Sequence, residues 1–477
     1  MVSNGPISTG GGGEALGKQV GGSGLGQAGS QAASKPRDLL PIVLAAAAVI
    51  ELALFVPVAA LLDHEHFVWS VSCADTPLYV KACKDLLATG SYPLDTVRTV
   101  GYPLFLAGAF LLGGEAHGYQ VAVALQLVLN LAFLWLIWRL VERVAPQARL
   151  GVRLAIAIVG FIAGLGQAVF LLSDLQAGVF FTFFGYVMLC KKSPWWVVGG
   201  ALALMAATLT RPMFTYFTVL IPLMAWLLGR FAIRVPWSHV AVYLLASVAA
   251  VGVNSAVDRR SRDLVGSDSF FTYHTRNLLY NLYRFPARTE QEHQALYQQE
   301  ISRRAGKPYE SLTRGEKDPF ARALFLETLR AHPYQCARAW CVSFALYGVV
   351  PIESLVNYFC RLATWDEFWY HRSPLRRSMS FICMPLWILA YAPPWGRRRK
   401  YWPFYIVTML LVVYVNGLCA LGVGVGDRMR IPILPFMLAW AAVNLEAVWS
   451  AVFGPPGAAG KAAWRIRLRA ITFRRPA

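Results

Sequence analysis

The sequence predicts an all-α polytopic membrane protein of about ten transmembrane helices. Three observations carry that prediction. Hydrophobic residues make up 56% of the 477 residues and charged residues only 15%, against about a quarter charged in ordinary soluble domains. Apolar runs of roughly 20 residues, the length that crosses a bilayer as a helix, recur along the chain. The basic residues stand in short loops beside those runs: Arg139, Arg143, Arg149 and Arg153, then Lys191 and Lys192, Arg230 and Arg234, Arg397 to Lys400, and Lys461 to Arg475. A single water-soluble core is excluded.

The net charge of +19 follows the same placement. Short basic loops between apolar spans mark the cytoplasmic side of a membrane protein, whereas a nucleic-acid footprint needs a basic face on a folded surface. The partner implied is a lipid bilayer, not nucleic acid.

The elements follow in order. Residues 1–38 are rich in Gly and Ser without apolar periodicity and predict a disordered cytoplasmic tail. Leu39–Leu62, with no cleavable signal before it, predicts a first span that leaves the cytoplasm. Residues 63–117 then form the first outer loop. Within it, Asp75-Thr76-Pro77 predicts a helix start, with aspartate at the N-cap and proline in the first turn. Tyr79, Ala82, Cys83 and Leu86 share one face of that helix, which is expected to lie flat on the membrane with this face down. Cys73 and Cys83 flank the start; two free thiols are preferred over an oxidised pair. Gly101–Leu112 is too short to cross and predicts a juxtamembrane or half-inserted helix. Spans follow at about Gly118–Leu140, Val152–Leu172, Leu175–Cys190, Trp195–Thr210, Met213–Gly229 and Pro236–Val257. Residues 39–257 thus make an N-terminal transmembrane module that includes the loop 63–117. Residues 258–376 form a long extracytoplasmic loop with interfacial helices, including a helical pattern at Phe320–Leu329 and an apolar stretch at Ala339–Val350. Residues 377–453 carry the last spans, Met379–Tyr391, Trp402–Val423 and Ile431–Phe453. A basic cytoplasmic tail, 454–477, closes the chain.

Asp75 is the first candidate for chemistry. One reading makes it a helix cap and nothing more. The other starts from what transfer from a phospholipid-linked donor needs. A phosphate esterified to a prenol is already a good leaving group, so one carboxylate that deprotonates an acceptor hydroxyl suffices. Glycosidases need two carboxylates because their leaving group is poor. Arg98, Arg211, Arg428 and Arg430 all fall near the outer face in this topology. A guanidinium fork suits phosphate oxygens there; snorkelling of long cationic side chains is the competing reading. Asp63-His64-Glu65-His66 reads as an interfacial polar cluster ahead of a metal site, and eight cysteines without a Cys-x-x-Cys pair give no support to structural zinc. Phe270-Phe271, Tyr273, Tyr280 and Tyr283 suit sugar stacking and an interfacial belt equally.

An ordered set of motifs resembles the GT-C superfamily of integral-membrane glycosyltransferases that use polyprenyl-phosphate sugars. Asp75-Thr76-Pro77-Leu78-Tyr79, followed by Leu86-Leu87 and Gly90, resembles the loop-one aspartate motif. Arg98 and Gly101-Tyr102-Pro103-Leu104-Phe105-Leu106 are similar to its arginine and Gly-Tyr-Pro half-helix. Ser173-Asp174 resembles the Ser-acidic pair at the outer start of helix four. Thr210-Arg211-Pro212 is similar to the Thr-Arg-Pro run between helices five and six. Asp427-Arg428-Met429-Arg430-Ile431-Pro432, with Pro435, resembles the arginine-proline signature before the last helix. The set spans most of residues 39–450 and is closest in character to the protein O-mannosyltransferase and aminoarabinose lipid A transferase branches.

The resemblance implies a GT-C-like fold with Asp75 as catalytic base and Asp174 as a second acidic residue at the reaction centre. Arg98, Tyr102, Arg211, Arg428 and Arg430 would then bind the donor phosphate and substrate. It implies single-displacement inverting transfer of a hexosyl or pentosyl group to a lipid, glycan or protein acceptor. The setting would be the bacterial inner membrane, with the site facing the periplasm or exterior. Two departures stand out. Asp75 is followed by Thr where several relatives have a second acidic residue, and Thr99-Val100-Gly101-Tyr102 replaces the Glu-Lys-Pro-Pro of the aminoarabinose transferases. Branch and divalent-metal use therefore stay open. A transporter or flippase of a lipid-linked saccharide is the alternative. It calls for two similar halves or paired broken helices at mid-membrane, and the chain shows no internal repeat.

Overall fold

The computed structural model describes residues 38–73, 75–92, 99–230, 235–262, 290–348, 352–366, 370, 373–394, 401–421 and 430–454. The fold is that of the unit Leu40–Ala477, and its described residues form sixteen α-helices, two 3-10 helices and no strand. Six of the helical segments are long and apolar enough to cross a membrane, and three shorter ones are apolar in character. These residues make an integral membrane protein.

Helix α1 (Leu40–Leu61) coincides with the first predicted span. Most of its apolar side chains are exposed, as Ile42 and Val49 are, which suits a lipid-facing helix. Asp63 caps α2 (His64–Val71), accepting from the His66 backbone N–H at 2.9 Å. The second helix of the outer loop, α3 (Thr76–Thr89), starts where Asp75-Thr76-Pro77 predicts. Its face of Tyr79, Ala82 and Cys83 is buried, however, against α4 (Gly101–Val144). That corrects the expectation that this face lies on the membrane: the surface it covers is protein. Cys73 and Cys83 are both free thiols.

The break expected between Leu112 and Gly118 falls at Gly114, whose φ of 64° interrupts α4. Glycine reaches that left-handed region without the Cβ penalty of other residues. The first part of α4 is the predicted half-helix and the second part is a span.

Helices α5 (Leu150–Ala168), α6 (Asp174–Cys190) and α7 (Pro194–Thr210) follow. The first stops four residues short of the predicted Leu172. The reason lies in the partners of the next residues: Leu171 N–H donates to the Val71 carbonyl at 2.9 Å instead of back along α5, and the Gln126 amide on α4 donates to the carbonyls of Phe170 and Leu172, both at 3.1 Å, which holds 169–173 as a non-helical connection. The predicted span Met213–Gly229 divides into a 3-10 helix, Pro212–Val219, and α8 (Leu220–Arg230). α9 (Trp237–Arg262) packs on α7.

A separate pair, α10 (Glu290–Ala305) and α11 (Arg314–Ala331), closes on its own small core of Tyr297, Ile301, Leu312, Ala321 and Leu324. Thr313 and Glu316 form a reciprocal capping box at the start of α11. Then come α12 (Pro333–Gly348), α13 (Ser354–Thr364), α14 (Leu375–Tyr391), α15 (Trp402–Leu421) and α16 (Leu434–Phe453). The central bundle is α4 to α7 with α16. Its middle is aromatic: Phe181 stacks on Phe214 at 4.6 Å and meets Phe217 edge-on at 4.9 Å. Trp440, fully buried, donates its indole N–H to the Ala392 carbonyl at 2.9 Å.

Candidate functional site

Polar side chains gather at one end of this bundle, where α3, α4 and α6 begin and α7 ends. The first turn of α3 is pinned to the connection before α6. The Thr76 hydroxyl donates to the Leu171 carbonyl at 3.1 Å, and Leu171 N–H donates to the Val71 carbonyl at 2.9 Å. One turn on, the Tyr79 and Ser173 hydroxyls share a hydrogen bond of 3.0 Å. Tyr79 and Tyr102 meet edge to face at 4.8 Å, and the Tyr102 hydroxyl donates to Gln126 at 3.4 Å. The aspartate motif of the loop, the Gly-Tyr-Pro run and the Ser-Asp pair thus share one wall.

The fourth motif arrives through close helix contact. A Cβ at Gly101 would come within 2.7 Å of the Thr210 hydroxyl and 2.8 Å of the Leu209 carbonyl carbon, so only glycine lets α4 start against the end of α7. Thr99 reinforces the contact, its hydroxyl donating to the Thr210 carbonyl at 2.8 Å. Arg211 follows and turns inward to pair with Asp174. Both are buried, at 7% and 2% exposure. Among the described residues, Arg211 Nε and Asp174 Oδ2 are buried polar atoms without a hydrogen-bond partner, and such atoms are rare unless something else fills the role.

Asp75 stands in the N-cap position of α3, yet its side chain makes no capping hydrogen bond. Capping does not account for the carboxylate. It is close enough to Arg211 to act on it electrostatically, as Tyr79 and Asp174 do.

Arg430 joins from the last segment. Ile431 packs onto Gly178, where a Cβ would lie 2.6 Å from it, one helical turn beyond Asp174. The Arg430 guanidinium sits over the Trp387 ring at 4.4 Å. Structure therefore brings Asp75, Tyr102, Asp174 and Arg211 together and places Arg430 at the same end of the bundle. Arg98, Asp427 and Arg428 lie outside the described residues, as do Arg397–Lys400, both predicted tails and the aromatic run from Phe270 to Tyr283.

Several participants were not singled out from the sequence. Gln126 and Arg361 bind backbone carbonyls of the site's connections, and neither carries a local motif. Glu51, buried in α1, accepts from the Asn130 amide at 2.8 Å. Its signal was available, because a lone carboxylate inside an apolar span is costly unless partnered. Among the described residues no group of three or more His, Cys, Asp or Glu could hold a metal ion.

No family model and no curated protein matches the sequence. Among solved structures, the chain is similar to ArnT from Cupriavidus metallidurans bound to undecaprenyl phosphate, at 14% identity and a TM-score of 0.32, covering 84% of this chain and 76% of that one. The apo state of ArnT from Cupriavidus metallidurans gives 16% identity and a TM-score of 0.31, covering 84% and 77%. Likeness at this level carries no argument about the site, and the functional reading rests on this chain's own residues.

Proposed function

We propose that this protein is a glycosyltransferase that moves a sugar from a polyprenyl-phosphate donor to an acceptor outside the cytoplasm, in a single inverting displacement. The observation that carries the reading is the buried Asp174–Arg211 pair beside Asp75, with one polar atom of each partner unsatisfied. A polyprenyl phosphate would lie with its tail in lipid and its headgroup at the depth of this bundle end.

Asp75 takes the proton of the acceptor hydroxyl, and the acceptor oxygen attacks the anomeric carbon. The bond from that carbon to the phosphate oxygen breaks, leaving its electron pair on the prenyl phosphate. Arg211 presents its remaining N–H groups to the oxygens on which charge grows, and a charge-assisted fork is well suited to that task. Asp174 keeps the guanidinium oriented and balances its charge before donor arrives. Tyr102 shapes the wall behind the sugar, and Arg430, with Arg98 and Arg428 from the same motifs, completes the basic surround. A divalent metal is compatible with this scheme but no step uses one. The same reading takes the three shorter apolar helices and α14 as crossings as well as the six long ones, about ten in all, with the site end facing the periplasm or exterior of a bacterial inner membrane.

Replacing Asp75 by Asn tests the proposal. Asn keeps the shape and loses the basicity, so transfer in purified protein should fall by about a hundredfold or more, the usual worth of a general base. Folding should be unaffected, since Asn keeps the volume of Asp and most of its hydrogen-bonding capacity. Wild-type turnover in that variant would sink the assignment.

A further inference from the structure

The carboxylate proposed as base stands at the start of α3, shortly after the end of α2, and the group that fixes the end of α2 comes from far along the chain. Arg361, on α13, is 4% exposed. It donates to the Ser72 carbonyl, and through Nη2 to the Trp69 carbonyl at 2.6 Å. Its guanidinium also stacks on the Trp69 ring at 4.1 Å.

Ser72 is the C-cap of α2, so these carbonyls belong to the last turn of the helix, where acceptor capacity is left over; Trp69 O accepts only a 3.3 Å bond from the Ser72 N–H before Arg361 adds its own. A cation there also meets the negative end of the helix dipole. Arg361 is therefore a C-cap delivered by another element. Downstream, the Cys73 N–H donates to the Thr76 hydroxyl at 2.9 Å and the Thr76 N–H to the Cys73 carbonyl at 2.9 Å. One unbroken set of bonds runs from Arg361 through Ser72 and Cys73 to Thr76, with Asp75 inside it.

α13 is itself held firmly. Ser354 accepts from Gln167 at 2.7 Å, and Gly166 approaches so closely that a Cβ would lie 2.5 Å from the Leu355 nitrogen. Tyr358 packs edge-on against Phe170 at 5.6 Å, and Trp365 meets Trp69 and His66, both at 5.1 Å. The strut thus has a rigid base on α5 and a rigid tip on α2.

We infer that Arg361 is a positioning residue: it sets where the Asp75 carboxylate stands and so the rate of transfer, without touching donor or acceptor. This rests on the glycosyltransferase reading given above. Lysine carries the charge but cannot span two carbonyls and a ring face together, so Arg361→Lys should do part of the work and Arg361→Ala none.

Two readouts on the full-length protein in detergent test this. The first is maleimide labelling of Cys73, resolved by peptide mass spectrometry, with Cys190 at the opposite end of α6 as an internal reference. Cys73 should label several-fold faster in Arg361→Ala and at an intermediate rate in Arg361→Lys, while Cys190 stays at the wild-type rate. The second is transfer kinetics with a polyprenyl-phosphate sugar. There kcat should fall about a hundredfold in Arg361→Ala, the scale of an ångström-sized misplacement, with donor KM nearly unchanged and kcat partly restored in Arg361→Lys. Wild-type Cys73 protection in both variants overturns the inference whatever the kinetics show. So does a rise in donor KM with kcat intact, which would make Arg361 a binding residue. If the wild-type protein transfers no sugar, the glycosyltransferase reading fails, and the labelling still decides whether Arg361 holds the turn.

Discussion

Removing the Asp174–Arg211 pair one partner at a time, and then together, separates what the pair does for folding from what it does for function. Both side chains are buried, and each ion has the other as its direct partner, with Arg211 Nε and Asp174 Oδ2 otherwise unsatisfied. Deleting one leaves an uncompensated buried charge, which costs about 3–5 kcal/mol. Arg211→Met and Asp174→Leu should each therefore lose about 3 kcal/mol of stability, roughly a hundredfold in the folded-to-unfolded ratio. The double variant buries two apolar side chains in place of two ions and should be no less stable than either single one. The singles add to about 6 kcal/mol and the double stands at about 3, so the coupling is about 3 kcal/mol. Equilibrium unfolding in mixed micelles reads all three numbers. Tritiated undecaprenyl phosphate binding, measured on the same samples, should stay lost in the double variant although its fold is no less stable than that of either single one. Additive losses in the cycle would refute the argument, because they would mean the two ions do not depend on each other.

Three other outcomes follow from the geometry. Gly101→Ala forces α4 from the end of α7, since its Cβ would meet Thr210 and Leu209 below 3 Å; overpacking of this kind costs about 1–3 kcal/mol, and unfolding titration should find it together with weakened transfer. Ser311→Cys, at an exposed position beside the α10–α11 pair, should label with an impermeant maleimide from the outer face of intact cells; protection there overturns the proposed sidedness. In the same pair, hydrogen bonds from Arg303 hold the Glu300 carboxyl down from its ordinary value of 4.5 to about 2. A depressed folded-state value means its stabilising effect is complete above pH 4.5 and is lost as pH falls toward 2, so hydrogen-exchange protection of α10 and α11, corrected for intrinsic rate, should decline across that window and be flat above it.

Span positions were legible in the sequence because burial in lipid and burial in protein use the same apolar residues, and that equivalence also hid what the sequence could not give. The face of Tyr79, Ala82 and Cys83 is apolar by pattern, but pattern does not say whether bilayer or α4 covers it. Boundaries that depend on local chemistry came out close: α3 after Asp75, α7 up to Thr210, the interruption at Gly114. The end of α5 did not, because the Leu171 N–H that would have continued it goes to Val71 and Gln126 on another helix holds the residues beyond. The motifs at Asp75, Tyr102, Asp174 and Arg211 were legible as residues, yet their convergence depends on Gly101 and on the Tyr79–Ser173 bond, contacts with no local signature. Arg361 is the extreme case. Nothing near it in the chain points to Ser72, a partner 289 residues away.

The convergence has an electrostatic consequence for the proposed reaction. α3, α4 and α6 all present their N-termini to the same bundle end, where unpaired backbone N–H groups and the helix dipole favour negative charge. Arg211 adds a full cation, and Asp174 and Asp75 offset it. Before donor binds, the two carboxylates keep this concentration of positive potential tolerable in a poorly hydrated place. A bound sugar phosphate carries one negative charge on its diester; as the glycosidic bond breaks, the departing monoester gains a second. The site can meet that growth without moving any charge, because the helix ends and the guanidinium are already fixed by Thr76, Gly101 and Asp174. Preorganisation of this kind stabilises the transition state more than the ground state. In that scheme the arginine strut has its own part: Arg361 holds the Trp69 and Ser72 carbonyls and so fixes the backbone that leads into Asp75.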